Sequence, residues 1–142
     1  MKRGNNNAVL PAVELRLEHE LLLREYADHL DILPGTAGWR LLRQSLEALL
    51  RERAEIPDLS ERRLVALAGI MADSLNVEMA LSELPVSGSS IEALRTERLK
   101  TAIRQSASWS CDQDWSPEAI VREGRLLHAS LEVFLGAPVP FE

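Results

Sequence analysis

The stretch LVALAGIMADSLNVEMALSEL, residues 64–84, decides the fold. Leu64, Leu67, Ala68, Met71, Leu75 and Met79 fall on one stripe at 100° per residue. Ile70, Val77, Leu81 and Leu84 make a second stripe across the back, and from Leu64 to Ser82 only Asp73 and Glu78 carry charge. A helix apolar on both sides belongs inside a bundle rather than on its surface. The expectation is an all-α, single-domain bundle of about five helices with this one, helix 3, at its centre and a second copy of the chain as partner.

The neighbours follow from their own punctuation. Pro11 opens helix 1, and Pro34 with Gly35 closes it after Leu33. Thr36 caps helix 2, which runs toward Pro57, and Ser60 caps helix 3, which reaches about Leu84. Ser89 and Glu92 stand at capping-box spacing ahead of helix 4, which extends to about Ser106. Ser116, Pro117 and Glu118 place a cap, a first-turn proline and an acid at the start of helix 5, which ends at Gly136. Residues 1–9 are expected to be flexible and residues 137–142 an extended tail around a single domain over 1–142.

Helix 1 carries two stripes. Leu15, Leu22, Leu23, Tyr26, Leu30 and Leu33 face one way, while Leu10, Val13, Leu17 and Leu21 lie on nearly the opposite side. One helix of a small bundle needs one buried face, so the second stripe predicts a helix-helix seam with another copy. Helix 2 (Trp39, Leu42, Leu46, Leu49, Leu50), helix 4 (Ile91, Leu94, Ala102, Ile103) and helix 5 (Ile120, Leu127, Leu131, Phe134) read as single-faced helices packed on helix 3.

Composition supports this reading. The chain has 142 residues, 46% hydrophobic and only 4% aromatic, with Leu and Ala dominant. That mixture favours helices over strands. A net charge of −6 and a pI near 5.1 give no global attraction to a phosphate backbone, so nucleic acid is not an expected partner. The single Cys111 excludes an intrachain disulfide and fits a reducing compartment. No apolar run reaches the roughly 20 residues of a membrane span, and the acidic residues after MKRGNNN do not make a signal-peptide core. A cytoplasmic protein with no membrane contact is expected.

Several groups invite a chemical reading. LVALAGIMADSLNVEM is similar to a helix-turn-helix, with Ala68-Gly69-Ile70 as the turn and Leu75 six positions after the glycine. Its second half offers Asp73, Ser74, Asn76 and Glu78, with no base-reading Arg or Lys, and acids there would be repelled from a groove. Glu25 with His29 and His128 with Glu132 stand at i, i+4, which puts each pair on one helix face but off the apolar stripes, as surface ion pairs do. His19, by contrast, sits on helix 1's main stripe and Glu78 on helix 3's, so each needs a polar partner if buried. His19, Glu78, His29 and His128 are therefore the residues to test for metal or acid-base chemistry, although no nucleophile, oxyanion nest or Gly-rich loop accompanies them. No cofactor is called for.

Two surface candidates remain. Arg95, Arg98, Lys100 and Arg104 make helix 4 the best local basic patch, mixed with Glu92 and Glu97 as solvated helix faces are. Trp109 and Trp115 flank Cys111 in WSCDQDWSPEAIV. They read as a folded corner between helices 4 and 5, with Trp115 as a hydrophobic staple, or as an anchor for a partner if both are exposed. Asp112 and Asp114 argue against Cys111 as a nucleophile. The preferred function is a helical interaction module, an adaptor, chaperone or regulator, binding itself and an unidentified protein. A DNA-associated regulator and a His/Glu metalloprotein or enzyme are the alternatives.

Overall fold

A computed structural model describes residues 15–51, 59–83, 89–111 and 116–139. Five helices occupy them: α1 (Leu17–His29), α2 (Ala37–Arg51), α3 (Glu61–Leu81), α4 (Ser89–Ser110) and α5 (Pro117–Leu135), and no strand occurs among the described residues. α3 packs against each of the other four, while α1 also touches α2, and α4 pairs with α5. The expected all-α arrangement of five helices with helix 3 central is observed among the described residues.

The local signals act where the sequence places them. Thr36 Oγ1 accepts the Trp39 amide at 3.3 Å, Ser60 Oγ accepts that of Arg63 at 3.1 Å and Ser116 Oγ that of Ala119 at 3.2 Å. Each satisfies an amide that the first turn leaves without a helical partner. Gly136 closes α5 in the left-handed region at φ 69°.

Four boundaries differ from the sequence reading, and one of them is the end of α3, which stops at Leu81 instead of reaching Leu84, with Ser82 and Glu83 in a turn. α1 begins at Leu17, since Leu15 and Arg16 are non-helical; the expected start at Pro11 lies outside the described residues. It ends at His29 rather than Leu33. Asp31 takes φ 57°, the Ile32 amide reaches back to the Ala27 carbonyl at 2.8 Å and the Asp31 amide to Asp28 at 3.2 Å. That pair of bonds is a Schellman cap, with aspartate in the place glycine usually holds. Leu33 is consequently in the turn and exposed. α4, conversely, runs past Ser106 to Ser110 because Ser106 and Trp109 both point into the core.

α3 is buried on every side in its first half but on one face only beyond it, where Leu81 of the back stripe is buried. From Leu64 to Ile70 every residue is buried, whichever way it points, whereas Leu75 and Met79 on the same stripe are exposed, Leu75 by 49%. α3 is also long and apolar enough to cross a membrane by length and composition, although half of the qualifying window is packed inside this bundle. Leu94, expected in the core stripe of α4, is exposed as well.

At the centre, Gly69 lets α1 lie directly on α3. A Cβ at that position would stand 1.9 Å from the Tyr26 hydroxyl. The Tyr26 ring fills the space, its hydroxyl hydrogen-bonds Ser106 Oγ at 2.9 Å, and its ring meets that of Trp109 edge to face at 5.0 Å. The helix is unbroken through Gly69, so the glycine marks a close crossing and not the turn of a helix-turn-helix.

Candidate functional site

Small residues on three helices leave a hollow of about 300 Å³ beside this crossing. Gly69 and Ala72 on α3, Ala102 on α4 and Gly38 on α2 line it where larger side chains would fill it. Leu30, Ile32, Leu41 and Leu42 complete an apolar wall from the end of α1, the turn after it and α2, and Tyr26 lies at the same wall. Four polar side chains join them: Asp73 and Asn76, one turn apart on α3, and Arg98 and Gln105, two turns apart on α4. A second, shallower cleft of about 240 Å³ between α3 and α4 shares only Asp73 and Arg98 with the first. The two charged side chains thus form the partition between the clefts.

Arg98 Nη2 donates to Asp73 Oδ1 at 2.9 Å. Burial pushes the Asp73 carboxyl above its usual range, and Arg98 pulls it down by charge and hydrogen bond without cancelling the rise. The pair stands at the mouth of the hollow, with Asp73 partly buried and Arg98 half exposed, where a perturbed carboxyl beside a concave surface marks a candidate binding site.

The residues singled out from the sequence are placed differently. His19 is 2% exposed, as its stripe position requires, but its partner is Glu61, the first residue of α3, and not Glu78. The start of α1 passes the start of α3, whereas Glu78 lies near the far end of α3 and is held by Arg95 at 2.6 and 2.9 Å. His19 Nδ1 accepts the Arg16 amide at 3.3 Å, so Nε2 carries the hydrogen that it donates to Glu61. His29 is near Ser108 Oγ at 3.5 Å, and Glu25 is taken by Arg62 at 2.6 Å. His128 Nε2 donates to the Val139 carbonyl at 2.8 Å while Glu132 accepts the Val139 amide at 2.9 Å. These two side chains clamp the start of the expected extended tail onto α5, and residues 140–142 lie outside the described set. The four metal candidates therefore stand apart, and no three His, Cys, Asp or Glu side chains cluster as a metal site among the described residues.

The basic patch is largely neutralised. Arg95 bridges Glu78 and Glu92, Arg98 takes Asp73, and Lys100 stands 3.9 Å from Glu97. Arg104 is exposed with no ion-pair partner among the described residues. Trp109 is 2% exposed, which removes it as a surface anchor. The Arg62 guanidinium lies 4.1 Å from the Trp109 ring centroid and donates twice to its carbonyl, at 3.1 and 3.0 Å. Trp109 Nε1 has no hydrogen-bond partner among the described residues. Trp115, Leu10 and Val13 lie outside the described residues, whereas Leu17 and Leu21 are 74% and 59% exposed.

Sequence reasoning singled out Arg98 but not the hollow. Tyr26 was legible only as a core aromatic, Asp73 and Asn76 entered only through the helix-turn-helix similarity, and nothing local sets Gln105 apart from other helix-surface polars. No protein-family model, no characterised protein and no solved structure matches the chain.

Proposed function

We propose that the protein is a small helical interaction module that works as a homo-oligomer through the outer face of α1. The observation that carries this reading is the exposure of Leu17 and Leu21, one turn apart, on a helix whose opposite face is buried through His19, Leu23 and Tyr26. Two leucines in that relation present a ridge suited to the groove of a second helix, and their burial would release apolar surface from water at about 25 cal/mol per Å². Exposed Leu126 and Val133 on α5, and Leu75 and Met79 on α3, supply further apolar surface for an unidentified partner.

Size-exclusion chromatography with light scattering tests the proposal. The expected mass is at least twice the 15.8 kDa of one chain, and Leu17→Glu or Leu21→Glu should reduce it to one chain without loss of helical circular dichroism. A monodisperse monomer at micromolar concentrations would refute it. The DNA-associated reading has less support, because α3 has no turn at Gly69 and three of the four patch cations face acids.

A further inference from the structure

We propose that the hollow between α1, α2, α3 and α4 binds a small zwitterion with an apolar body, of the α-amino acid class, with Asp73 holding its ammonium and Arg98 its carboxylate. The argument begins with how arginines elsewhere in this fold are closed. Arg43–Glu20, Arg63–Glu123 and Arg95–Glu78 each join two helices by two parallel N–H···O bonds, at 2.6–3.0 Å. That fork geometry is the one a guanidinium and a carboxylate adopt when they serve only each other. Arg62, which meets Glu25 at a single contact, directs its remaining donors to the Trp109 carbonyl. Arg98 and Asp73 share one bond only. The second Asp73 oxygen, and Nε and Nη1 of Arg98, have no protein partner among the described residues.

Both residues line the hollow, Asp73 with only about a quarter of its side chain exposed. The half-buried carboxylate is incompletely compensated, so a cation or strong donor beside it would be favoured. A simple cation would be repelled by Arg98, and a simple anion by Asp73. A molecule bearing both charges satisfies both, and Asn76 and Gln105 add amide donors and acceptors beside them. Behind the charges, Leu30, Ile32, Leu41 and Ala72 offer a wall for an aliphatic or aromatic side chain. A volume of about 300 Å³ lies at the lower limit of ligand clefts, which fits an amino acid better than a nucleotide or a larger cofactor.

Isothermal titration calorimetry and thermal shift on the full chain test this without relying on a variant. The probes are L-leucine and L-phenylalanine, with three truncations: 3-methylbutylamine, which lacks the carboxylate, 4-methylpentanoate, which lacks the ammonium, and glycine, which lacks the apolar body. At least one of the two amino acids should bind and raise the melting temperature, and each truncation should weaken binding roughly tenfold or more. Asp73→Asn and Arg98→Gln should each impose a similar loss on that amino acid while the circular dichroism spectrum is retained. Equal binding of the amine or of the carboxylate alone would overturn the proposal, as would no heat and no stabilisation by either amino acid up to about 10 mM.

Discussion

Gly69→Ala is the sharpest test of how the bundle is assembled. In an isolated helix the change is favourable by about 1 kcal/mol. Here the added Cβ would lie 1.9 Å from Tyr26 Oη, 2.2 Å from Cζ and 2.6 Å from Cε2. Carbon atoms in contact rest at about 3.5–4.0 Å, so the ring would have to retreat by more than about 1 Å. It has little room: Ser106 holds the hydroxyl at 2.9 Å and Trp109 stands against the ring at 5.0 Å. Overpacking of a filled core costs about 1–3 kcal/mol, and a buried hydroxyl torn from its partner a further 1–3 kcal/mol or so. Set against the propensity gain, the net destabilisation is about 1–5 kcal/mol, or a melting point lower by roughly 3–15 °C. Urea denaturation followed by circular dichroism measures it. The double variant supplies the control, because in a Tyr26→Ala background Gly69→Ala should stabilise by about 0.5–1 kcal/mol. A neutral or stabilising effect of Gly69→Ala in the otherwise native chain would mean that α1 does not cross α3 at this point.

Leu67→Ala, at a fully buried site, should cost about 2–5 kcal/mol, whereas Leu75→Ala on the same helix should cost less than about 1.5 kcal/mol, and equal costs in urea titrations would contradict the lengthwise change in burial. Asp31→Gly should stabilise by about 0.5–1 kcal/mol, because glycine takes φ 57° without the Cβ penalty; a loss of stability would show that the aspartate side chain contributes more than its backbone costs. Glu123 is partly buried, which raises its pKa, but the bonds from Arg63 and Ser110 and the charge of Arg63 outweigh burial and leave it lowered. A carboxylate with a lowered folded pKa stabilises above its unfolded value near 4.3 and loses that contribution as pH falls further. Glu123→Gln should therefore cost about 1–2 kcal/mol at pH 7, and the difference from the native chain should shrink as pH drops below about 4; a gap that persists there would be due to packing instead. For Asp73 the sign is opposite. Its raised folded pKa means that stability falls as pH rises from the unfolded value near 3.9 through the folded one, so Asp73→Asn should flatten stability over that window.

Features legible in the sequence were those whose physics is complete within a turn or two. The caps at Thr36, Ser60 and Ser116 and the left-handed Gly136 each need only neighbouring backbone groups, and each is where the residue types place it. The Asp31 cap was not legible because aspartate rarely takes the glycine position, and Pro34-Gly35 offered a stronger stop signal nearby. Periodicity showed that α3 is apolar on both sides, but it carries no record of where the packed neighbours stop, so Leu75 and Met79 read like Leu64 and Leu67. Glu78 stood out as a partner for His19 because it shares an apolar stripe of α3, whereas the pairing with Glu61 depends on which ends of α1 and α3 meet. The hollow was the least legible feature. It is space left by Gly38, Gly69, Ala72 and Ala102, residues from three helices whose smallness is ordinary one by one.

The long-range polar links also explain how so plain a composition can specify one arrangement. Leucine and alanine surfaces pack on one another in several registers at little difference in energy, and apolar burial alone does not choose among them. In this molecule the interfaces of α1, α3 and α4 each carry a directional contact with a single geometric solution. His19 meets Glu61 near the start of both helices, Tyr26 passes Gly69 to reach Ser106, and Arg62 joins Glu25 to the Trp109 carbonyl. A slide of α1 by one helical turn would strand the buried His19 and Tyr26 hydroxyl without partners, each at a cost of about 1–3 kcal/mol. It would also bring Tyr26 against a residue with a Cβ in place of Gly69. The register is thus fixed by what misalignment would leave unsatisfied. Because α1 is held at this crossing, the turn after it carries Leu30 and Ile32 to the wall of the hollow that Asp73 and Arg98 also line.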